Sequence, residues 1–346
     1  MDPSNQRYNG VVARSQRRER HGGVGQRQRW AFLRTADGGQ HWTAATVPGA
    51  TDMDFRALHA FTRDSAILLS IGTGDKSRLY KTADGGATWS LLYTNPDPKG
   101  FFDAIQFWDA THGILIGDPV DGFFTIMTTS DGGATWTRQK TPPAMPDEGA
   151  FAASGTCLVV GGNSGGAGGK SGGMAGGKDG GMAGKAGVTG DAWFATGGPA
   201  GARVFHSSDR GVTWTVSTTP IRNDVAAAGI FGLAFRDSMH GIAVGGNYSK
   251  PADASQNIAI TIDGGKTWTA PVGWPPSGFR SAVAYLAERK IWIATGTSGS
   301  DFSTDDGKTW RPFDGGFNAF AAFSSDAVWA VGPKGAIARL KIESSH

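Results

Sequence analysis

The chain carries a single cysteine, Cys157, in 346 residues. An internal disulfide and a cysteine metal cluster are therefore both excluded. There is no run of about 18 apolar residues, and the first residues lack the apolar stretch of a secretory signal. Contact with a membrane is accordingly expected only through a partner. Basic charge is scarce outside the N-terminus: Arg7, Arg14, Arg17, Arg18, Arg20, Arg27 and Arg29 account for the net charge of +3, leaving the remainder slightly acidic. A nucleic-acid interface needs a basic stripe with interleaved aromatics on a folded face, so none is expected. Glutamate and tyrosine are also rare, with Glu19, Glu148, Glu288 and Glu343, and Tyr8, Tyr80, Tyr93, Tyr248 and Tyr285.

What is abundant is glycine, 54 residues, and tryptophan, 12. Much of both falls in one repeated phrase. TADGGQHW (35–42), TADGGATW (82–89), TSDGGATW (129–136), SSDRGVTW (207–214), TIDGGKTW (261–268) and STDDGKTW (303–310) share the form Ser/Thr-x-Asp-x-Gly-x-Thr/His-Trp. Each follows an alternating stretch and precedes a short one, which makes it a turn between two strands. Asp37, Asp84, Asp131, Asp209, Asp263 and Asp305 can accept hydrogen bonds from turn amides, while glycine supplies positive φ. Trp42, Trp89, Trp136, Trp214, Trp268 and Trp310 are large anchors for packing. These are structural tasks, and no catalytic role is assigned to the six aspartates.

The spacing from Asp37 to Asp84, and from Asp84 to Asp131, is 47 residues, the size of a four-stranded propeller blade. From Asp131 to Asp209 it is 78, the excess being a Gly-rich insertion at 161–190 that reads as a surface loop. One blade is laid out as FFDAIQFWD (101–109), HGILIGD (112–118), FFTIMTTS (123–130) and TWTRQK (135–140). The C-terminus adds three strands, NAFAAFS (318–324), AVWAVG (327–332) and AIARLKI (336–342). The expected fold is all-β, a seven-bladed β-propeller of four-stranded antiparallel blades, occupying residues 30–346 as one domain. Residues 1–29 should complete the first blade and close the last, yet they have one short apolar patch (10–13) and otherwise a disordered composition. The first blade is therefore expected to be incomplete, as from a misassigned start or a shift of frame.

A propeller binds at the mouth of its central channel, where inner strands begin. Aligning FRALHAF (55–61) with FRSAVAY (279–285) makes Arg56 and Arg280 equivalent, with Asn318 in the last blade and Phe102, Gly149 and Ile230 in others. Asp103 and Glu148 lie one residue away. This mouth suits a polar or anionic ligand. Asp118 and Asp121, in GDPVDG, could serve with Asp103 as acid and base of a two-carboxylate hydrolase, as Glu148 could. GDPVDG lacks the alternating oxygen ligands of an EF-hand, which favours an inter-strand turn over a calcium loop. His112 and His240 share the phrase Asp-x-x-His-Gly-Ile and fit a turn role better than ligation. No metal or cofactor is expected.

The six motifs resemble those of the BNR or Asp-box repeat class. Within it, LLSIGTGDKSRLYKTADGGATW, FFDAIQFWDATHGILIGDPVDG, GAFAASGTC and AFRDSMHGIAVGGNY most resemble bacterial relatives of the photosystem II stability and assembly factor family. The likeness runs from Trp30 to the C-terminus, interrupted by the Gly-rich insertion. It implies a seven-bladed, exported propeller without recognised catalysis that binds a protein partner, and an extracytoplasmic location. A sialidase-like or other glycoside hydrolase is the alternative. Against it stand the missing Arg-Ile-Pro signature, only Tyr285 on an inner strand as nucleophile, and only Glu148 near the channel. The expectation is a monomeric, non-catalytic scaffold that takes a protein or polymeric ligand at the channel mouth.

Overall fold

The computed structural model describes residues 11–13, 32–161, 190–322 and 328–340. The expected disordered tail, apart from Val11–Ala13, and residues 162–189 of the Gly-rich insertion lie outside the described residues. The chain folds as a series of antiparallel sheets taken in chain order, each a meander. The first blade is Asp54–Ala60, Ala66–Ile71, Arg78–Thr82 and Ser90–Thr94. The second is Phe102–Phe107, Gly113–Val120, Phe123–Thr129 and Thr137–Arg138. Leu158–Val160, Ala192–Ala195, Arg203–Ser207 and Thr215–Thr218 form the third. The fourth has Ala228–Phe235, Gly241–Asn247 and Ile258–Thr261, with Thr269 bridging to Ile260 where a fourth strand would run. The fifth is Ala282–Leu286, Ile291–Gly296, Gly299–Ser303 and Arg311–Phe313, and the sixth Ala319–Ala322, Val328–Val331 and Ile337–Leu340. Inner strands of successive sheets touch, so the sheets stand side by side around an axis. This is a β-propeller.

Among the described residues six blades are counted, not the expected seven. In the seventh place stands a sheet of three short strands, Val11–Ala13, Phe32–Arg34 and Thr43–Ala45. The Arg-rich, apolar-poor sequence between Ala13 and Phe32 has no alternating pattern with which to build a full blade. This sheet nevertheless links the ends of the ring, because Trp42 packs edge-on against Trp329 of the sixth blade at 5.1 Å.

The six Asp-Gly-Trp turns share one hydrogen-bond scheme. In the turn at Asp84, the Thr82 hydroxyl donates to the Asp84 carboxylate (2.8 Å) and accepts from the Gly86 amide (2.8 Å). The Thr88 amide (2.9 Å) and hydroxyl (2.6 Å) donate to the two carboxylate oxygens. Those bonds from Thr88 draw the Asp84 pKa down to about 2. The same pattern recurs at Asp131, Asp209, Asp263 and Asp305, and at Asp37 with the His41 ring replacing the threonine hydroxyl. Each turn also reaches the preceding sheet. Gly211, at φ +87°, leaves a Cβ position 2.9 Å from Ile114 of the second blade, and Gly39 lies directly on the Trp329 ring.

Core residues fill the gaps between blades, as between the second and third, where Ile114, Ile116, Phe124, Ile126, Leu158, Phe194 and Phe205 pack with Trp214. Gly211→Ala is expected to destabilise by about 2–3 kcal/mol, from positive-φ strain and the clash with Ile114. Gly122→Ala has similar φ (+85°) with open space around it, so it should lose only about 1 kcal/mol. Denaturant unfolding of the two variants checks this, and equal losses would mean that the turns do not bear on their neighbours.

Candidate functional site

The inner strands of the first, second and fourth blades open with a bulge, between Phe55 and Ala57, Phe102 and Ala104, and Ile230 and Gly232. The extra residues are Arg56, Asp103 and Phe231. Close approaches fix the register in the fifth blade: Gly296 lies on the Phe279 carbonyl as Gly117 does on that of Phe101 and Gly245 on that of Gly229. Arg280 thus corresponds to Phe102 and Ile230, while Ser281 corresponds to Asp103. The expected equivalence of Arg56 and Arg280 is off by one residue, and a one-residue slip turns a side chain to the opposite face. Arg280 is accordingly buried, bonded through Nε to Asp301 (2.6 Å) and further to Ser277 and the Phe279 carbonyl. Arg56 keeps 38% of its side chain exposed and pairs with Asp54 at 2.9 Å. Asn318 is half-buried, and its carbonyl accepts from the Ser281 hydroxyl at 2.7 Å.

The carboxylates expected to act in catalysis are not brought together in a cleft. Glu148 is fully buried, accepting from the Thr196 hydroxyl (2.6 Å), Arg203 Nε (2.8 Å), the Met145 amide (2.8 Å) and Arg203 Nη2. Its acceptor capacity is consumed, which makes it a structural ion pair. Asp121 is exposed at φ +52° beside Gly122 and meets Lys99 at 3.1 Å, so GDPVDG closes a two-residue hairpin turn. His112 and His240 each contact the aspartate three residues earlier, Asp109 or Asp237, at 2.9 Å.

Asp103 and Asp118 do form a pair, with Asp103 sealed and Asp118 half-buried. Asp103 is 1% exposed, and its Oδ2 has no hydrogen-bond partner among the described residues. Burial, reinforced by the Asp118 charge, pushes its pKa well above the usual carboxylate range. Burial raises Asp118 to about 6, opposed by a hydrogen bond from the Ala150 amide at 3.0 Å. Burial also pushes the Cys157 thiol, beside them, well above its usual range.

The seal is residues 150–157, which precede the inner strand of the third blade. The Ser154 hydroxyl donates to the Ser281 carbonyl in the fifth blade (2.7 Å), Leu233 of the fourth donates to the Thr156 carbonyl (2.9 Å), and Gly155 packs on Ala57 of the first. One segment thus touches three other blades and fills the axis. Above it, Phe151 stacks on Phe231 at 3.9 Å, Phe231 meets Phe279 edge-on at 4.8 Å, and Tyr248 leans on both rings. Tyr248 is 53% exposed. The candidate site is therefore the floor around Phe151, Phe231 and Tyr248, with Arg56 at the bulge adjoining Ala57. The sequence reading missed these aromatics, although Gly149-x-Phe151 and Gly229-x-Phe231 carry the same spacing.

No protein-family model and no curated protein matches the chain. Solved structures do. YCF48 bound to D1 peptide matches with a TM-score of 0.57 at 15% identity, over 97% of this chain and 91% of that one. YCF48 from Cyanidioschyzon merolae gives 0.56 at 16%, over 89% of each chain. A GH74 xyloglucanase from Xanthomonas campestris reaches only 0.32 at 13%, over 91% of this chain and 59% of that one, too low to support an argument. The likeness is one of fold.

The acid pair generates a pH prediction. Asp118 has a folded-state pKa above its unfolded value of about 3.9, so the unfolded chain gives up its proton first and stability falls as pH rises from about 4 through 6. Asp118→Asn keeps an acceptor for Ala150 and removes that loss. Thermal unfolding should show the variant more stable than the parent at pH 7.5, by on the order of 2 kcal/mol, with the gap closing toward pH 4. A gap that widens on acidification contradicts the assignment.

Proposed function

We propose that this protein is a non-catalytic scaffold that captures an extended peptide or protein segment on the aromatic floor of its propeller, in the manner of an assembly or stability factor. The observation that carries the reading is the pairing of exposed and sealed groups on one face. Tyr248 is exposed and Arg56, although held by Asp54, keeps 38% of its side chain exposed, whereas Glu148 and Asp103 are closed off from any substrate. Stacked rings and a guanidinium at the bulged ends of the inner strands suit peptide recognition, because aromatics supply rigid contact area and arginine supplies directional donors. The YCF48 structure with a D1 peptide shows a propeller of this shape holding a peptide, which supports the same use here. In this reading the turns are Asp-box repeats, and the protein works as a monomer outside the cytoplasm.

The alternative, a glycoside hydrolase, needs two carboxyl groups flanking an open cleft. Asp103 and Asp118 do not meet that need.

A panel of immobilised peptides with free C-termini, probed with the parent, Arg56→Glu and Tyr248→Ala, tests the reading. Selective binding should weaken at least about tenfold in either variant with unfolding midpoints unchanged. Equal binding by all three proteins, or turnover of a sialoside or β-glucan that Asp118→Asn abolishes, would overturn it.

A further inference from the structure

The fourth blade ends in an irregular segment, PVGWPPSG (271–278), instead of a regular outer strand. Within it Val272 is 93% exposed and Trp274 80%. Folded proteins seldom leave an indole so uncovered, and neither side chain sits in a groove. The exposure does not come from slack backbone. The Gly273 amide donates to the Lys308 carbonyl (3.1 Å), and the Trp310 amide donates to the Trp274 carbonyl (2.9 Å). The buried Asn257 amide then clamps the carbonyls of Pro276 (2.8 Å) and Gly278 (2.7 Å). The segment is bolted to the turn of the fifth blade with its two apolar side chains held outward.

Those backbone bonds also fix the neighbouring charges. They set Lys308 opposite Gly273 and Trp310 opposite Trp274; Lys308 and Arg311, the residue after Trp310, are both exposed and neither is in an ion pair among the described residues. The nearest acids are engaged: Asp305 accepts from Ser303 and Thr309, and Asp306 pairs with Arg236 at 3.3 Å. Asp314 is exposed, but lies beyond the far end of the strand Arg311–Phe313. The edge therefore presents an exposed indole and valine on a backbone bonded to the segment that carries two exposed cations.

We propose that the edge formed by Val272, Trp274, Lys308 and Arg311 docks onto the surface of an anionic lipid bilayer. A protruding apolar pair needs a partner that yields or is already hollow, and the bilayer interface yields. Tryptophan favours that interface because its ring is apolar and its N–H is not, while lysine and arginine gain from anionic headgroups. Gly264 and Gly132 donate to the turns at Met239 and Thr111, so the Asp-Gly-Trp turns share one end of the blades with the first inter-strand turns, opposite the bulges. Docking by this edge leaves the face of Arg56 and Tyr248 free. It departs from the expectation that membrane contact comes only through a partner, and it does not depend on the peptide-binding reading.

Flotation of the full chain with vesicles of phosphatidylcholine, with and without about 30% phosphatidylglycerol, tests this. The parent is expected to float only with the anionic vesicles, with a blue shift of tryptophan emission and loss of binding at high salt. Lys308→Ala and Arg311→Ala should each weaken binding about fivefold, and Trp274→Ala should remove the blue shift. Because Trp274 is solvent-exposed, an unchanged unfolding midpoint confirms that the variant is folded. Absence of flotation, or equal flotation by Trp274→Ala, overturns the proposal. So would a dimer that Trp274→Ala dissolves, which would assign the edge to a second copy, or an acidic protein that captures the parent but not Trp274→Ala while vesicles do not.

Discussion

The structure depends on the carboxylate of one turn repeated six times. In each copy the aspartate accepts amide and side-chain donors from the residue four positions on, and the preceding serine or threonine hydroxyl ties the carboxylate to the glycine amide. A turn satisfied in this way is rigid without help from its surroundings. Rigidity lets its glycine press on the preceding sheet, so that Gly211 seats on Ile114 and Gly39 on Trp329. The inter-blade cores then close around the tryptophans. Strand pairing within a blade is local, whereas these contacts are what align one blade with the next.

A ring built that way leaves its axis to be filled. The inner strands converge, and residues 150–157 occupy the space by bonding to several blades at once. Two consequences follow for chemistry. Acids that would otherwise face a channel, Asp103 above all, are shut in and lose the solvent that would stabilise their charge. Recognition moves outward to the rings and guanidinium left at the bulges, where the chain departs from regular pairing and re-aims its side chains.

The repeat, its strands and the structural role of the turns were legible because each is written within eight consecutive residues. The hairpin at Asp121 and Gly122 was legible for the same reason. Other features join distant residues. Arg203 meets Glu148 from 55 positions away, and nothing local distinguishes that glutamate from a free one. Arg280 was misplaced because the Phe-Arg pair of FRSAVAY matches that of FRALHAF letter for letter, while the close approach of Gly296 to the Phe279 carbonyl sets the strand one residue along. The blade count failed where alternation itself is missing, between Ala13 and Phe32. The glycines before Phe151 and Phe231 were visible, but their meaning needed the knowledge that the segment before the third blade lies against the inner strand of the fourth.

Cys157 offers a direct probe of the central claim that the axis is sealed, since it is the only thiol in the chain and lies behind residues 150–156 with Asp103. Its rate of reaction with a small aromatic disulfide reagent in native buffer is the measurement. The account predicts labelling no faster than global unfolding, with full reactivity in denaturant. Rapid stoichiometric labelling of the folded protein would mean an open channel, and would return Asp103 and Asp118 to the list of groups that a substrate can reach.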